Sequence, residues 1–245
     1  MPIKSFIGRN RQFLQSLVFG ALAFTAAGAF AEDVVLTPRQ TEGPFYPDKL
    51  PPDTDNDLTV LKDSSPPAKG EVVNLSGRVL DQTGKPVQGA VIEIWQADNN
   101  GVYIHTRSPD QDRRDRNFQG FGRCLTGSSG EYSFRTIKPV SYTFGIQRAP
   151  HIHFIIKQGD KRMLTSQLYI KGHPLNEQDI VLQGIQNRAA REAVIIDFKP
   201  RKDSKTGELE AVLNIVIGKN PEDSSEDRLR HRDGFPIDVG PNPRF

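Results

Sequence analysis

From residue 71 onward, apolar and polar residues alternate in short runs broken by turn residues, a pattern that predicts strands. The first two are expected over 72–80 and 90–96. In the second, Val91, Glu93 and Trp95 fall on one face and Ile92 and Ile94 on the other. Asp81-Gln82-Thr83-Gly84-Lys85-Pro86 and Asp98-Asn99-Asn100-Gly101 read as turns. A long irregular loop, rich in Arg and Asp, is expected over 106–122. Further strands are expected over 131–136, 152–157, 165–170, 194–199 and 209–217, with one short helix over 176–187. Many short strands and no long helix predict an all-β fold, an antiparallel β-sandwich with long irregular loops.

The ends differ from this body. Residues 32–70 are Pro- and Asp-rich without periodicity and read as an extended N-terminal arm, followed by a sandwich domain over 71–220. Residues 221–245 are charged and Pro/Gly-rich, and read as a C-terminal arm or tail. Residues 1–31 have a basic start (Lys4, Arg9, Arg11), an apolar run and a small-x-small end, Ala29-Phe30-Ala31. That pattern predicts a secretory signal peptide and an exported protein, periplasmic or secreted. Arg9-Asn10-Arg11 resembles a twin-arginine start with its pair interrupted. The apolar run is shorter than the roughly 20 residues a membrane span needs, so no span is expected in the mature chain.

The leader changes the charge picture. The whole chain has 32 Lys and Arg against 30 Asp and Glu. Without the three basic residues of the leader, 29 face 30, and the mature chain lacks the positive excess that nucleic-acid binding needs. The lone Cys124 excludes an internal disulfide framework and thiolate metal clusters, so any metal must be held by nitrogen and oxygen.

Candidate chemistry concentrates in Arg148-Ala149-Pro150-His151-Ile152-His153-Phe154. On a strand, His151 and His153 project to one face while Ile152 faces the other, and two adjacent imidazoles make half of a metal site. Tyrosine is a rare ligand because its free pKa is about 10, but a hard trivalent ion can drive its ionisation. Tyr103 follows the turn after the Trp95 strand, and Tyr142 sits in an expected loop before the histidine strand. These two suit a ligand role, and a set of two His and two Tyr suits non-haem Fe(III). Tyr132 and Tyr169 read as packing residues, Trp95 as core, and Tyr46 belongs to the arm.

Eight segments, in order, resemble the intradiol ring-cleavage dioxygenases, above all the protocatechuate 3,4-dioxygenase β subunits. They include Gly43-Pro44-Phe45-Tyr46, Glu93-Ile94-Trp95-Gln96-Ala97-Asp98, Gly101-Val102-Tyr103-Ile104-His105, the Arg148–Phe154 run and Gln167-Leu168-Tyr169. The resemblance implies Fe(III) bound by Tyr103, Tyr142, His151 and His153, with Tyr142 the ligand that leaves when substrate binds. It implies catalytic roles for Arg148 and Gln167 beside the substrate ring. It further implies a catecholic substrate cleaved with O2 to a cis,cis-muconate-type product. A homo-oligomer is one assembly the sequence allows. The short stretch between Tyr142 and His151 lacks the longer, Trp-containing loop of the protocatechuate enzymes, which points to other catechols. The segment from Gly77 to Val91 also resembles transthyretin-like β-sandwiches, so a non-catalytic binding module is the alternative reading.

Overall fold

The computed structural model describes residues 34–61 and 66–219; the expected leader and C-terminal tail lie outside them. Backbone pairing sorts the strands into two sheets and a hairpin. In chain order they are β1 (Val72–Asp81), β2 (Val91–Trp95), β3 (Phe121–Leu125), β4 (Glu131–Ile137), β5 (Tyr142–Phe144), β6 (Ile146–Arg148), β7 (His151–Gln158), β8 (Lys161–Ile170), β9 (Ile195–Ile196), β10 (Phe198–Pro200), β11 (Leu209–Val212) and β12 (Ile215–Ile217). Two short helices, α1 (Ile180–Gln183) and α2 (Arg188–Ala193), lie between β8 and β9. No helix among the described residues is long and apolar enough to cross a membrane.

The first sheet centres on β1, which pairs antiparallel with β4 and, on its other edge, parallel with β11 and then β12. The second runs β3-β2-β7-β8-β9, antiparallel except for β9. The fold is thus the expected all-β sandwich, with parallel strands added where the chain returns late to β1 and β8. Val73, Leu75 and Val79 of β1 and Phe134 of β4 meet Ile92, Ile94, Ile152, Phe154 and Ile156 in one core. Each such side chain contributes about 1.5–3 kcal/mol on burial.

The outer face of the second sheet is buried as well. There Trp95 and Ile155 form a separate cluster with Phe45, Tyr103 and Phe121. The arm makes this possible. Thr37 N donates to Val216 O of β12 in the first sheet and Gln40 N to Thr165 O of β8 in the second, after which Gly43 lies over His153 and Tyr46 against Trp95. His151 and His153, opposite Ile152 and Phe154 by strand alternation, therefore point into a chamber between sheet and arm.

Several elements differ from the sequence expectation. The 106–122 loop holds a 3₁₀ turn, Gln111–Arg113, and gives way to β3 at Phe121. Gly122, Arg123 and Cys124 hide β3's alternation, and five-residue pairing with β2 decides it. The single helix expected over 176–187 is a 3₁₀ turn (Pro174–Glu177) and then α1, because the Asp179 carboxylate caps a fresh start and Gly184 closes it. The expected strand over 194–199 is interrupted at Asp197, and that over 209–217 at Leu213-Asn214.

The second break explains Gly77. Between the two parallel partners of β1, the Leu213 carbonyl turns inward and accepts from the Tyr132 hydroxyl at 2.8 Å. A Cβ on Gly77 would lie 1.8 Å from the Leu213 oxygen. Gly77→Ala is expected to destabilise the fold by about 3 kcal/mol, as overpacking does. Urea unfolding monitored by fluorescence checks this; an unchanged midpoint would contradict the close approach.

Cys124, opposite Ile92, packs against the core, and burial pushes its thiol up to about 11. A raised thiol pKa stabilises the fold below the ordinary thiol value, and this contribution is lost as pH rises through about 11. Labelling by a disulfide reagent at pH 8 should therefore be about a hundredfold slower than for a free thiol. Immediate stoichiometric labelling of the native protein would refute it.

Candidate metal centre

Three elements bring four side chains together. The Asp98 carboxylate accepts from the backbone N–H of Asn100 and Val102, tightening the turn that follows β2 and delivering Tyr103. Gly101 takes φ +79° in that turn, and a Cβ there would sit 3.2 Å from the Cβ of Tyr142. Strand β7 supplies His151 and His153. Tyr142 lies on β5 rather than in a loop, where a tight hairpin with β6 pairs it directly with Arg148. Three-residue strands are too short to show a period, so the hairpin was invisible in the pattern.

The donor atoms converge. Tyr103 Oη lies 3.3 Å from His151 Nε2, which lies 3.1 Å from His153 Nε2. The Tyr142 ring centroid is 5.2 Å from that of Tyr103 and 5.5 Å from that of His151. Donors that share one ion at about 2.1 Å and right angles stand about 3 Å apart, so the spacing fits a single small cation. Tyr103 and His151 stand 48 residues apart in sequence but meet at one spot. Among the described residues no three His, Cys, Asp or Glu side chains cluster, and half of this donor set is phenolic.

Protonation states favour ligation. Burial holds both imidazoles well below the ordinary histidine pKa, assisted at His151 by the Arg148 charge and at His153 by His151. His151 Nδ1–H donates to the Ala149 carbonyl at 2.6 Å, which leaves Nε2 with its lone pair toward the cluster. The His153 ring is stacked on Trp95, with centroids 4.8 Å apart, and its buried Nδ1 has no protein partner. Burial raises the Tyr103 phenol well above its usual pKa, and the facing Tyr142 adds to this. Burial also raises Tyr142, while Arg148 opposes the rise. A multivalent cation reverses that cost, since it stabilises phenolate directly.

Beside the four lies a buried polar network. Arg148 donates from Nε to Asp179 (2.9 Å) and from Nη2 to Gln167 Oε1 (2.7 Å). Tyr169 Oη donates to Gln40 Oε1 at 2.9 Å and stands 3.0 Å from Gln167 Oε1. Gln167 Nε2 donates to the Thr41 carbonyl. Arg148 and Gln167 thus stand together next to the tyrosine–histidine cluster.

The Dioxygenase family matches residues 41–219. The chain belongs to the intradiol ring-cleavage dioxygenase family.

Among its relatives, the protocatechuate 3,4-dioxygenase β chain of Burkholderia cepacia is 41% identical over 152 residues, 59% of this chain and 63% of the relative. Catechol 1,2-dioxygenase 1 of Acinetobacter lwoffii is 34% identical over 57% of this chain and 48% of the relative. The chain therefore spans about half to somewhat under two thirds of the length of these curated relatives. A solved dioxygenase domain from a carbohydrate-binding fusion of Streptomyces sp. SirexAA-E superposes with a TM-score of 0.54 at 28% identity, covering 75% of this chain and 98% of that one.

Sequence reading missed several parts of this family member's chamber. Tyr169, a packing residue by its strand pattern, carries its hydroxyl into the Arg148 network. Phe45 of the arm stacks on Tyr103 at 5.0 Å, and the backbone at Gly43 runs over the His153 ring. Tyr46 does not face the cluster; it packs edge-on against Trp95 and donates to the buried Glu93. Asp179 and Gln40 had no sequence signal, because their partners lie 31 and 127 to 129 residues away.

Proposed function

We propose that this chain cleaves a catechol-type aromatic diol between its two hydroxylated carbons, with both atoms of O2 entering a cis,cis-muconate-type dicarboxylate. One observation supports the reading most: the Tyr103 hydroxyl and two imidazoles stand within ligand spacing in a buried site, with the Tyr142 ring against them. Non-haem Fe(III) held by Tyr103, Tyr142, His151 and His153 would supply Lewis acidity and draw electron density from the diol toward O2. The protein's own groups do the rest. Tyr142, less buried than Tyr103, is the base that accepts a diol proton at Oη. Arg148, across the hairpin from it, faces the negative charge that develops on the ring. Gln167 orients Arg148, and the arm keeps water from the histidines, which are each 2% exposed.

The short stretch from Tyr142 to His151 favours catechol and its alkyl or hydroxy derivatives over protocatechuate. Export is part of the proposal, on the strength of residues 1–31. The transthyretin-like alternative draws on one strand and gives no account of the four converging donors. The test is reconstitution with ferric ion, followed by oxygen-electrode and product spectra across a catechol panel that includes protocatechuate. Tyrosinate-to-iron charge transfer should colour the protein, and a band shift should follow catechol addition. A colourless loaded protein that consumes no O2 with any diol would sink the reading.

A further inference from the structure

We infer that Asp179 is the positioning residue of the chamber, locking the Arg148 guanidinium and the His151 ring into one frame. This rests on the catalytic reading above. The Asp179 side chain is fully buried and Arg148 nearly so. Its two oxygens divide their work. Oδ2 accepts from Arg148 Nε at 2.9 Å and from the Ala149 backbone N–H at 2.8 Å. Oδ1 accepts from Val181 N and Leu182 N at 3.1 and 3.0 Å, and lies 3.4 Å from Arg148 Nη2. The carboxylate is thereby fixed to α1 before it holds anything else.

The hold on Ala149 matters as much as that on Arg148. The carbonyl of Ala149 is the acceptor for His151 Nδ1–H, so the residue whose N–H Asp179 grips also sets the histidine tautomer. One oxygen atom thus indexes a cation to an imidazole through a single residue. A guanidinium tied at Nε cannot rotate about its last side-chain bond. Its Nη2 is steered to Gln167 Oε1 and the Tyr169 hydroxyl, on a residue that the β5–β6 hairpin pairs directly with Tyr142. Electrostatic stabilisation of a transition state depends on such preorganisation, because a charge that must reorient during the reaction loses much of its effect.

The test compares Asp179→Ser with Leu182→Ala in the ferric-loaded chain. Serine keeps a helix-capping oxygen but cannot clamp the guanidinium. Leu182 is buried in α1 and packs with Ala149 and Tyr169, so its truncation loosens the same helix and that packing while leaving every hydrogen bond of the Asp179 carboxylate in place. At a temperature well below both unfolding transitions, Asp179→Ser should lose at least tenfold in kcat. Its KM for catechol should stay within threefold, and its iron content and colour should match wild type. Leu182→Ala should lose less than threefold in kcat. In the chain loaded with diamagnetic Ga(III) instead of iron, the Arg148 Nε–H resonance should be visible in wild type and Leu182→Ala and absent in Asp179→Ser. Wild-type kcat in Asp179→Ser, or an equal loss in Leu182→Ala, would overturn the positioning role while leaving ring cleavage intact. A wild-type chain inert to every diol would instead remove the catalytic reading, and this role with it.

Discussion

His153→Ala is expected to lose bound iron and at least a thousandfold in O2 uptake with catechol. The loss of iron follows from geometry. His153 Nε2 is one of three donor atoms linked by 3.1 and 3.3 Å spacings. A thousandfold corresponds to about 4 kcal/mol, within what a Lewis-acid metal contributes to a transition state. The fold should survive, because the imidazole faces the chamber and the sandwich core lies on the other side of β7. Metal analysis, the visible charge-transfer band and the oxygen electrode together check this. A variant that keeps wild-type iron content and turnover would show that His153 is a packing residue stacked on Trp95.

Arg148→Met should have the largest effect on stability of any change in the chamber. It leaves the fully buried Asp179 carboxylate without its cation. Breaking a buried pair from one side costs about 3–5 kcal/mol, because the remaining charge is neither hydrated nor neutralised. For a chain of this size, that lowers the thermal midpoint by about 6–20 °C. Removing both charges in Arg148→Met/Asp179→Asn should recover part of the loss without restoring turnover. Calorimetry of the two variants decides it; equal midpoints for wild type and Arg148→Met would mean that the pair is hydrated in solution.

The parts of the fold that sequence revealed were those whose order is local. Strand β4 and the start of β1 show a period of two, β2 and β7 are short apolar runs, and the paired projection of His151 and His153 follows from strand geometry alone. Tyr103 was legible because a turn with Asp98 and Gly101 announces it. What stayed hidden is long-range. Tyr169 reads as one more strand aromatic until Gln40, 129 residues earlier, arrives beside its hydroxyl. Asp179 looks like a polar residue inside a helix; only the approach of Arg148 and Ala149 reveals that its carboxylate has other work. The parallel pairings of β9, β11 and β12 are likewise choices made by packing, and no local pattern encodes them.

The stacking of His153 on Trp95 has a practical corollary. Trp95 is the chain's sole indole, and its ring centroid lies 4.8 Å from that of the histidine. Emission from this protein is therefore a single-site signal located beside the proposed iron. Ferric loading should darken it, and each encounter with a diol should modulate what light remains, so the molecule carries a built-in optical gauge of its own occupancy.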